Sequence, residues 1–178
     1  TEDFLFVSGS HPEGITYTTY EKIARTAQLR GFKLILDTSA DFVPDLLKYR
    51  PYLIKPNDEE LAEWFGLINP SLEEIKDCGQ KLLEKGAENV LVSLGEKGAI
   101  LFTPTETIHV TAPKGEVVNT ACAGDTLLAT FVGSQLLGLS NEEALIKAVA
   151  AGSSTAFRPG LTDFSDVPTL MQQIKRIS

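Results

Sequence analysis

The chain has 178 residues, of which 43% are hydrophobic and 22% charged, and its formal net charge is −8. That length suits one domain burying about two-thirds of its unfolded surface, and the composition excludes a disordered chain. The acidic balance excludes the basic footprint that a nucleic-acid or anionic-membrane partner needs, no apolar run approaches the ~20 residues of a membrane span, and the first residues lack a signal-peptide pattern.

In chain order, residues 4–7 read as a buried strand, 17–29 as a helix with apolar positions near Ile23, Ala24 and Ala27, and 33–37 as the next strand. A helical stretch at 43–47 precedes a third strand at 52–54, whose exit leads into a helix at 59–65. Ser71 and Glu74 have capping-box spacing and open a helix that stops near Lys85 and Gly86. Residues 90–93 form a fourth strand; 99–102 and 107–110 read as antiparallel strands joined across Pro104 and Thr105. Helices at 125–137, 141–157 and 167–174 complete the chain.

Strand–helix alternation followed by a hairpin and a helical tail predicts an α/β fold, a mostly parallel sheet with helices on both faces, in a single domain over residues 1–178 without repeats or linkers. Ligands in such sheets gather at the carboxyl ends of the strands, where Ser8, Asp37, Asn57 and Ser93 fall. Cys78 and Cys122 form neither a disulfide framework nor a metal-ligand spacing, and a reducing cytoplasm is the simplest setting.

The richest segment is Asn119 to Thr126, which runs small residues and Gly124-Asp125 into the apolar stretch 127–132. A helix leaves its first N–H groups unpaired, and its dipole adds partial positive charge there, so this junction is an anion hole suited to phosphate. The predicted donors are the backbone N–H groups of Cys122, Ala123, Gly124 and Asp125. Asp125, in the first turn, is placed to take a proton from a hydroxyl attacking that phosphate. An ordinary acidic first-turn residue is the alternative, at even weight from this segment alone. Ser93-Leu94-Gly95-Glu96-Lys97-Gly98 turns tightly out of a strand, with glycines that either admit a ligand close to the backbone or serve only a hairpin's positive φ. No Walker A, Gly-x-Gly-x-x-Gly, Gly-x-Ser-x-Gly or Cys-x-x-Cys sequence occurs.

Three segments in this order, Leu53-Ile54-Lys55-Pro56-Asn57-Asp58-Glu59-Glu60, Val92 to Gly98, and Asn119 to Thr126, resemble the PfkB (ribokinase-like) carbohydrate kinase family. Ser8-Gly9-Ser10-His11-Pro12-Glu13-Gly14 and Leu36-Asp37-Thr38-Ser39 are similar to its segments in kinases of ketohexose phosphates. The resemblance runs from Asp3 to about Asp166 and matches the later part of a family member. The family's amino-terminal Gly-Gly-x-x-x-Asn sugar-binding segment and its lid strands have no counterpart, so the implied fold is a partial ribokinase-like one.

The resemblance implies ATP and Mg²⁺, with transfer to a hydroxyl of a ketohexose phosphate: fructose 1-phosphate giving fructose 1,6-bisphosphate first, tagatose 6-phosphate second. It implies Asp125 as catalytic base, ATP contacts at Lys55, Asn57, Ser93, Leu94, Gly95, Glu96, Lys97, Gly98, Gly124 and Asp125, and Glu60 of the Asn-x-x-Glu motif at the metal, through water. A solvated acidic helix turn is the alternative for Glu59 and Glu60, and an edge-strand lysine for Lys55. It implies a homodimeric parent with small-molecule partners only. A non-catalytic nucleotide-binding fragment is the other functional reading, and the chain alone is expected to be inactive if its sugar-binding part is elsewhere. The family usually has glycine at Cys122; the side chain there either crowds the phosphate or packs away as an inert thiol. His11 is assigned to a substrate-side loop, His109 to a strand surface, Trp64 and Phe65 to packing, and Arg158 to a helix end.

Overall fold

The computed structural model describes residues 3–9 and 14–177; Ser10, His11, Pro12 and Glu13, and with them the His11 assignment, lie outside the described residues. The strands are β1 (Phe4–Ser8), β2 (Lys33–Asp37), β3 (Leu53–Ile54), β4 (Val90–Ser93), β5 (Ala99–Phe102), β6 (Thr107–Val110) and β7 (Arg176–Ile177). The helices are α1 (Tyr17–Arg30), α2 (Val43–Leu46), α3 (Asp58–Phe65), α4 (Leu72–Glu84), α5 (Ala123–Leu136), α6 (Asn141–Ala156) and α7 (Val167–Met171). The strands make one seven-stranded sheet in the order β1 to β7. β1, β2, β3 and β4 pair in parallel, as the alternation predicted for a mostly parallel sheet, and β6 pairs antiparallel with β7.

Contacts group the chain into two compact units, Thr1–Val92 with Leu101–Thr107, and Ser93–Ile100 with Ile108–Ser178. In the first unit the core is built on Leu34, Ile35, Leu36, Leu53, Ile54, Leu91 and Val92, each at most 3% exposed. Burying one such side chain stabilises by about 1.5–3 kcal/mol. α1 buries Tyr20, Ala24 and Ala27, one face at helical spacing, and stops at Gly31, whose φ of 71° lets Phe32 N–H reach Ala27 O and Gly31 N–H reach Gln28 O. α4 begins with the capping box of Ser71 and Glu74, and its Gly79 is obligatory, because an added Cβ would lie 2.4 Å from the Phe102 ring. In the second unit, α5 and α6 pack along each other, and Leu127, Leu128 and Phe131 of the one and Ala144, Leu145 and Ala148 of the other are buried.

Four expectations change. β1 is not buried: among the described residues it pairs only with β2, and Phe6 is 45% exposed. The helix read at 43–47 ends its α-helical part at Leu46 and tightens into a 3-10 turn, Leu47–Tyr49. The helix read at 167–174 stops at Met171, and β7 follows unannounced. His109 is not on a strand surface; on β6 it is 6% exposed, since β6 is buried from Ile108 to Val110.

A polar network ties α1 to the 3-10 turn within the first unit. Glu21 Oε1 accepts from Tyr17 OH at 2.7 Å, Lys48 Nζ at 2.9 Å and Tyr49 OH at 2.9 Å. These bonds, Tyr17's foremost, pull the Glu21 carboxyl down to about 2. A carboxyl lowered on folding contributes stability above its unfolded value, and that contribution is lost as pH falls through the folded one. Acid unfolding followed by circular dichroism should therefore show stability declining between about pH 4.5 and pH 2 in the wild type, with a shallower decline in Glu21→Gln. Identical acid limbs would mean that the network carries no linkage.

Candidate active site

In the first unit, parallel register sets the candidate residues side by side. Leu36 pairs with Ile54, so the next residues, Asp37 and Lys55, meet where β2 and β3 end. Lys55 Nζ lies 3.1 Å from Asp37 Oδ1, with the two side chains 7% and 14% exposed. Lys55 is thus a central, buried cation and not an edge-strand lysine. Its partner was missed in the sequence, although the Asp at one strand end and the Lys at the next parallel one were a usable signal. Gly9, with φ of 109°, donates its N–H to Asp37 O at 3.0 Å, bringing the exit of β1 to the same strand end. Thr38 is 6% exposed, and its Oγ1 has no hydrogen-bond partner among the described residues.

Two residues beyond Lys55, Asn57 caps α3. Its Oδ1 accepts from Glu60 N–H at 2.7 Å, and Glu60 Oε2 accepts from Asn57 N–H at 3.0 Å. The Asn-x-x-Glu motif is therefore first a capping box, which satisfies two otherwise orphaned donors. Glu60 is half-buried with one carboxylate oxygen committed, whereas Glu59 is exposed. No group of three or more His, Cys, Asp or Glu side chains that could hold a metal occurs among the described residues. A single carboxylate still fits Mg²⁺, which keeps several waters and takes its remaining ligands from substrate phosphates. Glu60 meets that requirement.

In the second unit, Ser93 leads into a tight turn. Leu94 N–H donates to Gly98 O at 2.9 Å, closing a loop around the 3-10 turn Gly95–Lys97. Gly98 has φ of 99°, and a Cβ there would lie 1.9 Å from Val110 O, so glycine is required by close backbone approach. Gly95, at φ 57°, has nothing within 4 Å of an added Cβ; with exposed Glu96 and Lys97 it leaves backbone open to a ligand.

The start of α5 is the other feature of this unit. Cys122 is its N-cap, in the left-handed region at φ 62° and ψ 4°, and the thiol is exposed. The packed-thiol alternative therefore fails, because Cys122 is exposed. Ala123 N–H is already taken by Thr120 O at 3.2 Å, which removes it from the predicted anion donors. The N–H groups of Cys122, Gly124 and Asp125 have no partner among the described residues, as helix geometry requires for the first turn. Asp125 is exposed beside them. Arg158 is not free for a phosphate, because its guanidinium bonds Asp163 at 2.8 Å and Asp166 at 2.9 Å. Trp64 and Phe65 are half-buried at the end of α3, in keeping with packing roles, and the Phe65 ring carries the Lys85 ammonium 5.4 Å from its centroid.

The profile of the pfkB family carbohydrate kinases matches residues 1–169. The D-tagatose-1-phosphate kinase of Bacillus licheniformis is 50% identical over 97% of this chain and 57% of that protein. The 1-phosphofructokinase of Bacillus subtilis is 38% identical over the same shares. Among solved structures, phosphofructokinase-2 from Escherichia coli in complex with substrates and products superposes with a TM-score of 0.88 at 26% identity, over 97% of this chain and 58% of that one. Ribokinase of Arabidopsis thaliana, complexed with ribose and ATP, gives a TM-score of 0.78 at 28% identity, over 95% and 55%. The chain thus has the ribokinase-like fold and spans a little over half the length of the curated relatives it matches. The tagatose phosphate named among these relatives is the 1-phosphate, which displaces the 6-phosphate of the sequence reading.

Proposed function

Because the chain belongs to the pfkB family of carbohydrate kinases, we propose that it carries the catalytic part of an ATP-dependent kinase of ketohexose 1-phosphates. Fructose 1-phosphate, converted to fructose 1,6-bisphosphate, is the first substrate; tagatose 1-phosphate is the second, favoured by the 50% identical relative. The observation that carries the reading is the start of α5, where unpartnered Gly124 and Asp125 amides stand beside an exposed carboxylate.

Asp125 takes the proton of the sugar hydroxyl as its oxygen bonds to the γ-phosphorus of ATP; the bond from that phosphorus to the bridging oxygen breaks, and ADP leaves. The Cys122, Gly124 and Asp125 N–H groups stabilise charge on the transferring oxygens, a step that depends on positioning and electrostatics. Lys55 and Asn57 contact the nucleotide phosphates, and Ser93, Leu94, Gly95, Glu96, Lys97 and Gly98 the rest of ATP. Mg²⁺, when bound, would supply charge neutralisation at the phosphates, and Glu60 would hold it through water.

The test is a comparison of kcat/KM for fructose 1-phosphate and tagatose 1-phosphate in the complete protein with ATP and Mg²⁺. Transfer to neither sugar would overturn the reading. The metal assignment has its own check. Glu60→Gln keeps the capping box, since glutamine serves at that position as well as glutamate, and removes only the charge. Its half-maximal Mg²⁺ concentration should rise, and that of Glu59→Gln should not. Equal magnesium titrations of the two variants would return Glu60 to a purely structural role.

A further inference from the structure

The first turn of α5 is held by the last turns of α6. At Gly152 an added Cβ would lie 3.0 Å from Ala123 O and 3.2 Å from Leu127 Cβ, so the two helices meet there as closely as a residue without a side chain permits. Three residues later, on the same helix face, Thr155 Oγ1 donates to Thr126 Oγ1 at 3.1 Å and accepts from Thr162 N–H at 3.2 Å. Ala156 O accepts from the N–H groups of Val118 and Asn119 at 2.8 and 3.1 Å, which anchors the segment leading into Cys122.

Behind this contact the loop after α6 is itself pinned. Ser154, fully buried, bonds Thr162 Oγ1 at 2.6 Å and Asp166 Oδ1 at 2.5 Å. Arg158 bridges Asp163 and Asp166. Thr155 is 1% exposed on a helix whose other buried positions, Ser154 apart, are apolar or glycine, so packing alone would be served by an apolar side chain of the same size. Its hydroxyl instead forms one link of a directed chain, Thr162 N–H to Thr155 to Thr126, and Thr126 is the residue next to Asp125. A hydroxyl used once as donor and once as acceptor fixes both neighbours.

We propose that Thr155 is a positioning residue for phosphoryl transfer, setting through Thr126 where the Asp125 carboxylate lies. The proposal rests on the reading of Asp125 as base. Misplacement by about 1 Å costs on the order of 10²-fold in rate, so the relay acts on turnover and not on affinity.

The test uses the complete protein with ATP and fructose 1-phosphate, measuring kcat and both KM values for Thr155→Val, Thr155→Ser and Thr126→Val, with Asp125→Ala alongside. Thr155→Val and Thr126→Val should each lose about tenfold to a hundredfold in kcat with the KM for ATP changed less than about twofold, and Thr155→Ser should recover most of the rate. The proposal is overturned if both valine variants keep kcat within about twofold of wild type, or if serine is as slow as valine. If Thr155→Val does not fold, Thr126→Val decides, because it leaves the Thr162 to Thr155 bond in place. An active Asp125→Ala would instead sink the base assignment, whatever the threonine variants do.

Discussion

Replacing Asp125 with alanine in the complete protein is expected to lower kcat by about 10²–10⁴-fold, the usual cost of losing a general base. Folding and ATP affinity should change little. Asp125 is exposed, so its truncation opens no cavity, and the backbone N–H groups of Gly124 and Asp125 survive the substitution. A helix start also retains its dipole, and binding of the phosphates draws on that and on the amides more than on a neighbouring carboxylate. Steady-state rates, an ATP titration and a thermal melt on the same preparation separate these contributions. A variant within a few-fold of wild-type turnover would leave Asp125 as an ordinary first-turn acid.

The second large effect is expected on stability, from Lys55→Met. The Lys55–Asp37 pair lies at the ends of two parallel strands with both side chains largely out of water. Removing one member of a buried ion pair takes the opposite charge away from the other and typically costs about 3–5 kcal/mol. The double variant Lys55→Met with Asp37→Leu should recover most of that loss, because apolar replacements of a whole buried pair are often neutral or better. It should not recover a low KM for ATP if the lysine reaches the nucleotide phosphates. Urea midpoints of the two single variants and the double one, read beside the ATP KM, check this. A Lys55→Met midpoint equal to that of wild type would show that the pair contributes nothing to stability.

The contrast between these residues explains what the sequence could and could not tell. Helices were legible where local chemistry governs: Ser71 with Glu74, and Gly86 at the stop of α4, act within a few residues of themselves. The helix α5 was read from the same kind of local signal, although it begins at Ala123, two residues before the expected start, and the Ala123 N–H is consumed by a turn closed through Thr120. Burial was less so, since it depends on neighbours far along the chain. Apolar Phe4 to Val7 read as core but form a strand with one pairing partner, and polar His109 read as surface but lies within a buried strand. Lys55 was ambiguous because its partner comes from another strand, and the Thr126–Thr155–Thr162 relay was invisible because it joins positions 29 and 7 residues apart. β7, two exposed residues, has no periodicity to read.

β1 has a consequence for the colloidal behaviour of the chain. Among the described residues it stands first in the sheet order, hydrogen-bonded along one side only, with Phe6 partly exposed. An open edge of this kind is a template on which a foreign or sister strand can grow, and natural sheets usually blunt such edges with charge, proline or a covering segment. Phe4 to Ser8 carries none of the first two. What opposes accretion is the long-range repulsion between copies, from a net charge of −8. Salt weakens that repulsion, so the solubility of the isolated chain should depend more on ionic strength than its folding does.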